Sequence, residues 1–200
     1  VASEATEETR FLEQGRALAV AEVDATRPTD TDVARFREVL GHFATGVTVV
    51  TGVEAGSPLG FTCQSLASLS LDPALVVIAP ARGSRSWPRI RASGGFCVNV
   101  LAQDQESVAR RFARSGGSKF AGLAWWLSDR GRPVIEGVLA YIDCDLLEVH
   151  DGGDHELVIG SVRELSAEGS RVPDSTGLRA QPRSPLLFYR GSYGRFSEAG

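Results

Sequence analysis

The 200-residue chain contains no methionine, and Lys119 is its only lysine among 21 basic side chains. Nowhere does it hold the roughly 18 consecutive apolar residues that a bilayer-spanning helix needs. Its first residues also lack a basic start followed by an apolar block. A cytoplasmic location without membrane association is the expectation. Cysteine is scarce: Cys63, Cys97 and Cys144 are an odd set at wide spacing, without a CxxC pair. That excludes a disulfide framework or a zinc ribbon and leaves three small buried residues. The three histidines, His42, His150 and His155, show no paired spacing on a helix, so no metal site is expected. Charge is short as well. The formal net charge is -4, and residues 1–32 hold eight acidic and three basic side chains, so residues 33–200 sum to about +1. Nucleic-acid binding requires a clearly basic face, which a nearly neutral body does not supply.

What is present is a hydrophobic content of 42%, enough for one globular domain with a real core. Residues 1–31 read as an acidic tail or arm, with a short helix over 9–22 that Gly15 weakens, residues 32–197 as the domain, and 198–200 as a tail. A helix over 32–41 follows an N-cap cluster ending at Asp32, and Val33, Phe36, Val39 and Leu40 share one face. Phe36 and Leu40 are therefore expected to pack inward. Residues 46–51 form a β-branched strand that a turn at 54–58 sends back along 59–65 as a hairpin. Strands are further expected over 75–79, 96–101, 134–145, 156–165 and 186–193. Helices are expected over 86–92, where Pro88 sits in the first turn, and over 103–113. Residues 166–184 read as an exposed insertion. About seven strands with two or three short helices, joined by connections too short for βαβ crossovers, predict a mainly β fold: an antiparallel barrel.

The stretch 59–80 draws most notice. Thr62, Gln64, Ser65, Ser68 and Ser70 alternate with Phe61, Cys63, Leu66, Ala67, Leu69 and Leu71, which suits a strand entering a loop with polar groups on one side and core on the other. Such a strip can hold a flat polar ligand. The same hydroxyls can equally satisfy turn and backbone hydrogen bonds.

A resemblance bears on that choice. FREVLGHFATGVTVVT (36–51), GFTCQSLASLSLDPALVV (60–77), SRSW (84–87), FCVNVL (96–101), KFAG (119–122), DGGDH (151–155) and LLFYRGSY (186–193) resemble, in order, the flavin reductase family. These are the small NAD(P)H-dependent partners of two-component flavin monooxygenases, and the likeness spans about residues 33–196. It implies a Greek-key split β-barrel of the FMN-binding type, working as a homodimer with the flavin site near the interface. It also implies an enzyme that passes hydride from NADH, or NADPH, to N5 of FAD, or FMN, and supplies free reduced flavin to a separate monooxygenase acting on an aromatic substrate.

By the same resemblance, Thr62, Cys63, Gln64, Ser65, Ala67 and Ser68 line the isoalloxazine and ribityl chain, and Ser84, Arg85 and Ser86 meet phosphate. Cys97 and Asn99 face the flavin from the FCVNVL strand; a buried Asn must find a partner, and a neighbouring loop would serve as well. Arg111, Phe112 and Lys119 fall near the nucleotide end, and Tyr189 packs near flavin or nucleotide. His155 is the implied catalytic residue, orienting the dinucleotide beside the flavin. Arg82 and Arg85 are the cations available for a 2′-phosphate. Trp125 and Trp126 match no motif. Other readings are a non-catalytic flavin- or haem-binding module and a related split-barrel oxidase.

Overall fold

The β-branched run at 47–51 becomes a strand with nothing exposed on either face, and the rest of the sheet grows outward from it. The structure, a computed structural model, describes residues 32–167 and 183–197. Within them lie α1 (Val33–Leu40), β1 (Thr45–Gly46), β2 (Thr48–Glu54), β3 (Ser57–Cys63), β4 (Ala67–Leu71), β5 (Ala74–Ile78), α2 (Trp87–Ala92), β6 (Gly95–Val100) and α3 (Glu106–Ala113). After these come β7 (Trp125–Leu127), β8 (Pro133–Ile135), β9 (Ala140–Gly152), β10 (His155–Ser166), β11 (Leu186–Tyr189) and β12 (Ser192–Arg195).

Seven strands pair antiparallel in the order β3-β2-β6-β9-β10-β5-β4, beside a three-stranded sheet β1-β11-β12 and a two-stranded one, β7-β8. The first two sheets meet at Val47. Its N–H donates to Leu186 O (3.1 Å), Leu186 N–H to Leu101 O (3.0 Å), and Leu101 N–H back to Val47 O (3.0 Å). The architecture is the expected antiparallel split β-barrel with a few short helices. No helix among the described residues is long and apolar enough to cross a membrane.

Strand alternation sorts the core into two clusters. Val47, just before β2, and Val49 on it point one way and Val50 the other; on β6, Cys97 opposes Phe96 and Val98. α3 covers the first cluster with Val108, Ala109 and Phe112, and α2 covers the second with Trp87 and Ile90. With both faces covered, β6 is buried along nearly its whole length and reads as an apolar run interrupted only by Asn99, not as an alternating strand.

The structure departs from the sequence reading at four places. First, α1 forms as expected, with Asp32 Oδ1 accepting from Ala34 N–H (2.9 Å), but it buries no residue, and Phe36 and Leu40 are 53% and 54% exposed. Its apolar periodicity identifies a face that needs cover, not what covers it. Second, 67–71 is an edge strand hairpinned onto β5 across Asp72-Pro73, and Leu69 and Leu71 face outward. Third, the single strand expected over 134–145 divides into β8 and the start of β9, so that β7 and β8 bring Trp125 opposite Ile135. Fourth, residues 186–193 divide at Arg190 and Gly191, both at positive φ (48° and 80°), the geometry of a two-residue hairpin turn. The expectations for 1–31, for 198–200 and for most of 166–184 lie outside the described residues.

Candidate active site

Five parts of the barrel end around one cleft of about 600 Å³. The end of β3 and the residues after it supply Phe61, Thr62, Cys63, Gln64 and Ser65. The chain after β5 supplies Ala79 to Ala81 and Gly83 to Ser86. Beyond the C-terminal end of α3 come Arg114, Ser115, Gly116 and Lys119. β10 contributes His155, and β11 and β12 contribute Phe188 and Tyr193.

Internal hydrogen bonds hold these parts in place. Ser65 Oγ accepts from Ala79 N–H (2.7 Å), fastening the loop after β3 to the end of β5. Thr62 Oγ1 donates to Ala109 O (2.6 Å), tying β3 to α3. Lys119 Nζ donates to Gly60 O and Phe112 O, each at 3.0 Å, and burial lowers its pKa. Phe112 lies so close to β3 that a Cβ on Gly60 would fall 2.7 Å from its ring, which explains glycine there. Burial pushes the Cys63 thiol up, so this cysteine stays neutral and packs beside Ser65 Oγ (3.2 Å). Burial also raises the Tyr193 phenol, over whose ring the Arg110 guanidinium sits at 4.8 Å.

Electrostatically the cleft is one-sided. No aspartate or glutamate is among its lining residues, whereas Arg85, Arg114 and Lys119 are. Neither arginine makes an ion pair with a described residue, so both charges remain available to an anion. A second cavity of about 360 Å³ adjoins the first, shares Arg85, Ser86, Gly116 and Lys119 with it, and is also free of carboxylates.

Residues 40–197 match the flavin reductase like domain. The chain belongs to the flavin reductase family. It is 53% identical over 162 residues, 81% of each chain, to the flavin-dependent monooxygenase reductase subunit HsaB of Mycobacterium tuberculosis. It is 42% identical over 164 residues to the FMN reductase (NADH) SmoA of Agrobacterium fabrum, covering 81% of this chain and 85% of that one. Among solved structures, nitrilotriacetate monooxygenase component B of Mycobacterium thermoresistibile is similar at a TM-score of 0.74 and 51% identity, over 82% of this chain and 86% of the other.

In this flavin reductase chain, the cleft gathers Thr62, Cys63, Gln64, Ser65, Ser84, Arg85, Ser86, Phe112, Lys119 and His155 from the residues singled out in the sequence. The others lie elsewhere. Ala67 and Ser68 pair with Val77 and Val76 on the edge strand β4. Cys97 is fully buried in the first core cluster. Asn99 takes the neighbour-satisfied alternative: Nδ2 donates to Val49 O (3.2 Å) and Thr51 Oγ1 (3.1 Å), and Oδ1 accepts from Ile135 N–H (2.8 Å). Arg111 donates to Ala121 O (3.0 Å) on the exposed side of α3. Tyr189 faces His42 edge-on at 6.2 Å, because alternation along β11 gives the cleft to Phe188 instead.

Phe188, Tyr193 and Arg114 are the contributors that sequence reasoning missed. The strand period that places Tyr189 outward is a signal for the first two, once the turn at Arg190 and Gly191 is seen. The SRSW segment also differs in detail: α2 is only six residues long, Ser86 makes no side-chain cap, and Ser84 Oγ accepts from Trp87 N–H (3.2 Å). Charge for an anion here comes from Arg85 more than from a helix end.

The lining fits a flavin. Hydroxyl, amide and backbone groups around Gln64 and Ser65 suit a ring edge rich in acceptors and donors, and unopposed cations suit phosphate.

Proposed function

We propose that residues 32–197 act as an NADH-dependent flavin reductase whose product, free reduced flavin, serves a separate monooxygenase. The observation that carries this reading is the carboxylate-free cleft with uncommitted Arg85 and Arg114 beside the Gln64 and Ser65 loop, in a chain of this family. Its mycobacterial relative is named as a monooxygenase reductase subunit, and the Agrobacterium relative as an NADH-dependent FMN reductase.

When bound, the flavin supplies the ring that accepts hydride from the dihydronicotinamide, and it needs little acid or base help. The chain's own contribution is position and charge. Thr62, Gln64 and Ser65 hold the ring edge. Ser84, Arg85, Ser86 and Lys119 hold phosphate. His155 stands at the open side, where its imidazole orients the nicotinamide carboxamide. The adjoining cavity, which shares Arg85 and Lys119 with the cleft, supports FAD over FMN, since a dinucleotide has a second half to place there.

Loss of dihydronicotinamide absorbance is the direct assay, with FAD, FMN and riboflavin added in turn under air. Turnover fastest with FAD is the expected result. Tight flavin binding without NADH or NADPH consumption would support the binding module instead.

The reading includes a homodimer. α1 presents Val33, Phe36, Val39 and Leu40 to solvent, each more than half exposed, and Phe43 follows at 76%. Covering side chains of this size gains about 1.5–3 kcal/mol each when burial is complete, which favours a second copy on this face. Phe36→Glu is expected to shift sedimentation from dimer to monomer; an unchanged dimer would move the interface elsewhere.

A further inference from the structure

The β9–β10 ribbon ends in the turn Gly152-Gly153-Asp154-His155, with Gly153 at positive φ (77°). This tip carries His155 into the cleft, yet it has no core of its own: Asp151, Gly152, Gly153 and Asp154 are all exposed. What holds it is the chain after β5. Arg82 Nε donates to Gly153 O (2.8 Å), and Arg82 Nη2 pairs with Asp151 Oδ1 (2.9 Å). Arg82 N–H donates to Asp154 O (3.0 Å), Glu156 N–H donates to Pro80 O (3.0 Å), and Ala81 bridges to His155.

The remaining guanidinium nitrogen, Nη1, lies 3.8 Å from Glu156 Oε1. Glu156 is itself anchored, accepting from Trp87 Nε1 (2.6 Å) and pairing with Arg91 (2.9 Å). Asp151 Oδ1 also accepts from Gly153 N–H (2.9 Å). Asp154 Oδ1 meets His155 Nδ1 at 2.7 Å, leaving Nε2 as the ring nitrogen free to face a ligand. One planar fork therefore grips a turn carbonyl, a turn carboxylate and the strand beyond, a geometry that an ammonium group cannot reproduce.

We propose that Arg82 is a positioning residue: it fixes the 151–155 turn against the chain after β5 and so sets where His155 stands in the cleft. The proposal rests on the reductase reading and on the place of His155 in it. It also removes Arg82 from the cations available to a 2′-phosphate, because its guanidinium is already committed to the protein. Exposed ion pairs are individually weak, but contacts from one group onto one turn act as a unit.

The test uses Arg82→Ala and Arg82→Lys in the full chain, alone and combined with His155→Ala. Arg82→Ala is expected to raise KM for NADH roughly fivefold to tenfold, to leave KM for FAD within about twofold, and to lower kcat/KM for NADH and NADPH by the same factor. Arg82→Lys, which keeps the charge facing Asp151 but loses the fork, should fall between. In the His155→Ala background, removing Arg82 should cost nothing further, since it acts through that residue. Amide exchange in the flavin-free protein supplies a readout without turnover: the Glu156 and residue 82 amides should exchange faster, with an unchanged thermal midpoint.

Several results would overturn the proposal: an equal rise in KM for FAD, a loss confined to NADPH, additivity with His155→Ala, or unaltered exchange at the turn. A wild-type protein that oxidises neither NADH nor NADPH with any flavin would instead refute the reductase reading. The exchange result would then still report whether Arg82 holds the turn.

Discussion

Arg132→Ala is expected to lower the unfolding free energy by about 3–5 kcal/mol, the cost of leaving a buried charge without its partner. Asp143, on β9, is fully buried and is held by the Arg132 guanidinium and the Ser128 hydroxyl. Arg132 itself is only 13% exposed, and its other nitrogen reaches Asp145 at 2.9 Å. Arg130 (3.0 Å) and Arg163 (2.8 Å) complete the cluster on Asp145. Gly95 on β6 makes room for it, because a Cβ there would fall 1.9 Å from the Arg132 side chain. Removing Arg132 therefore leaves a fully buried carboxylate with the Ser128 hydroxyl as its remaining side-chain partner.

Urea denaturation at neutral pH measures the loss through the shift in midpoint at constant slope. A loss under about 1 kcal/mol would mean that water reaches Asp143 in solution. The double variant Arg132→Met, Asp143→Leu should recover most of the stability, since replacing both partners removes the desolvation cost as well. Acid acts on the same cluster. Arg132 above all, with Arg163 and Arg130, holds Asp145 below the usual aspartate range. Its contribution is therefore present above about pH 4, the ordinary unfolded value, and is lost as pH falls through the lowered folded one.

His155→Ala should lower kcat/KM for NADH by roughly a hundredfold while the FAD dissociation constant stays within about twofold. The split is expected because the groups assigned to flavin, Gln64, Ser65, Arg85 and Lys119, sit on other segments, and Ser65 and Lys119 keep their own hydrogen bonds. His155 stands alone on β10 at the cleft, with Asp154 occupying Nδ1. Stopped-flow reduction of preloaded flavin separates the binding and transfer steps. Equal weakening of FAD and NADH would assign His155 to flavin binding, and an unchanged rate would take it out of the site.

Local signals predicted local structure well. The β-branched 47–51 run, the turn at Ala55 and Gly56 and the GGD turn before His155 each encode one strand or one hairpin, and each appears where the residues placed it. What failed depended on distant partners. Asn99 was legible as a buried polar group, but whether flavin or protein satisfies it depends on Ile135, 36 residues away. Tyr189 carries a resemblance to the family's closing strand, but only the left-handed pair Arg190 and Gly191 reveals the alternation that turns Phe188 and Tyr193 to the cleft. The apolar stripe on α1 carried no information about which surface it meets. The cation set was half legible: Arg85 and Lys119 lay in motifs, whereas Arg114 enters the cleft only because the chain turns past the end of α3.

Lys119, the sequence's single lysine, sits where the two cavities join, and burial depresses its pKa. An amine-coupling reagent therefore finds one side-chain target in the chain, and it lines both cavities. Attachment to a resin or dye through amines would cork the enzyme, whereas coupling elsewhere would leave it working. The same residue makes acylation a footprint: the fraction of Lys119 that escapes labelling counts the cavities already filled.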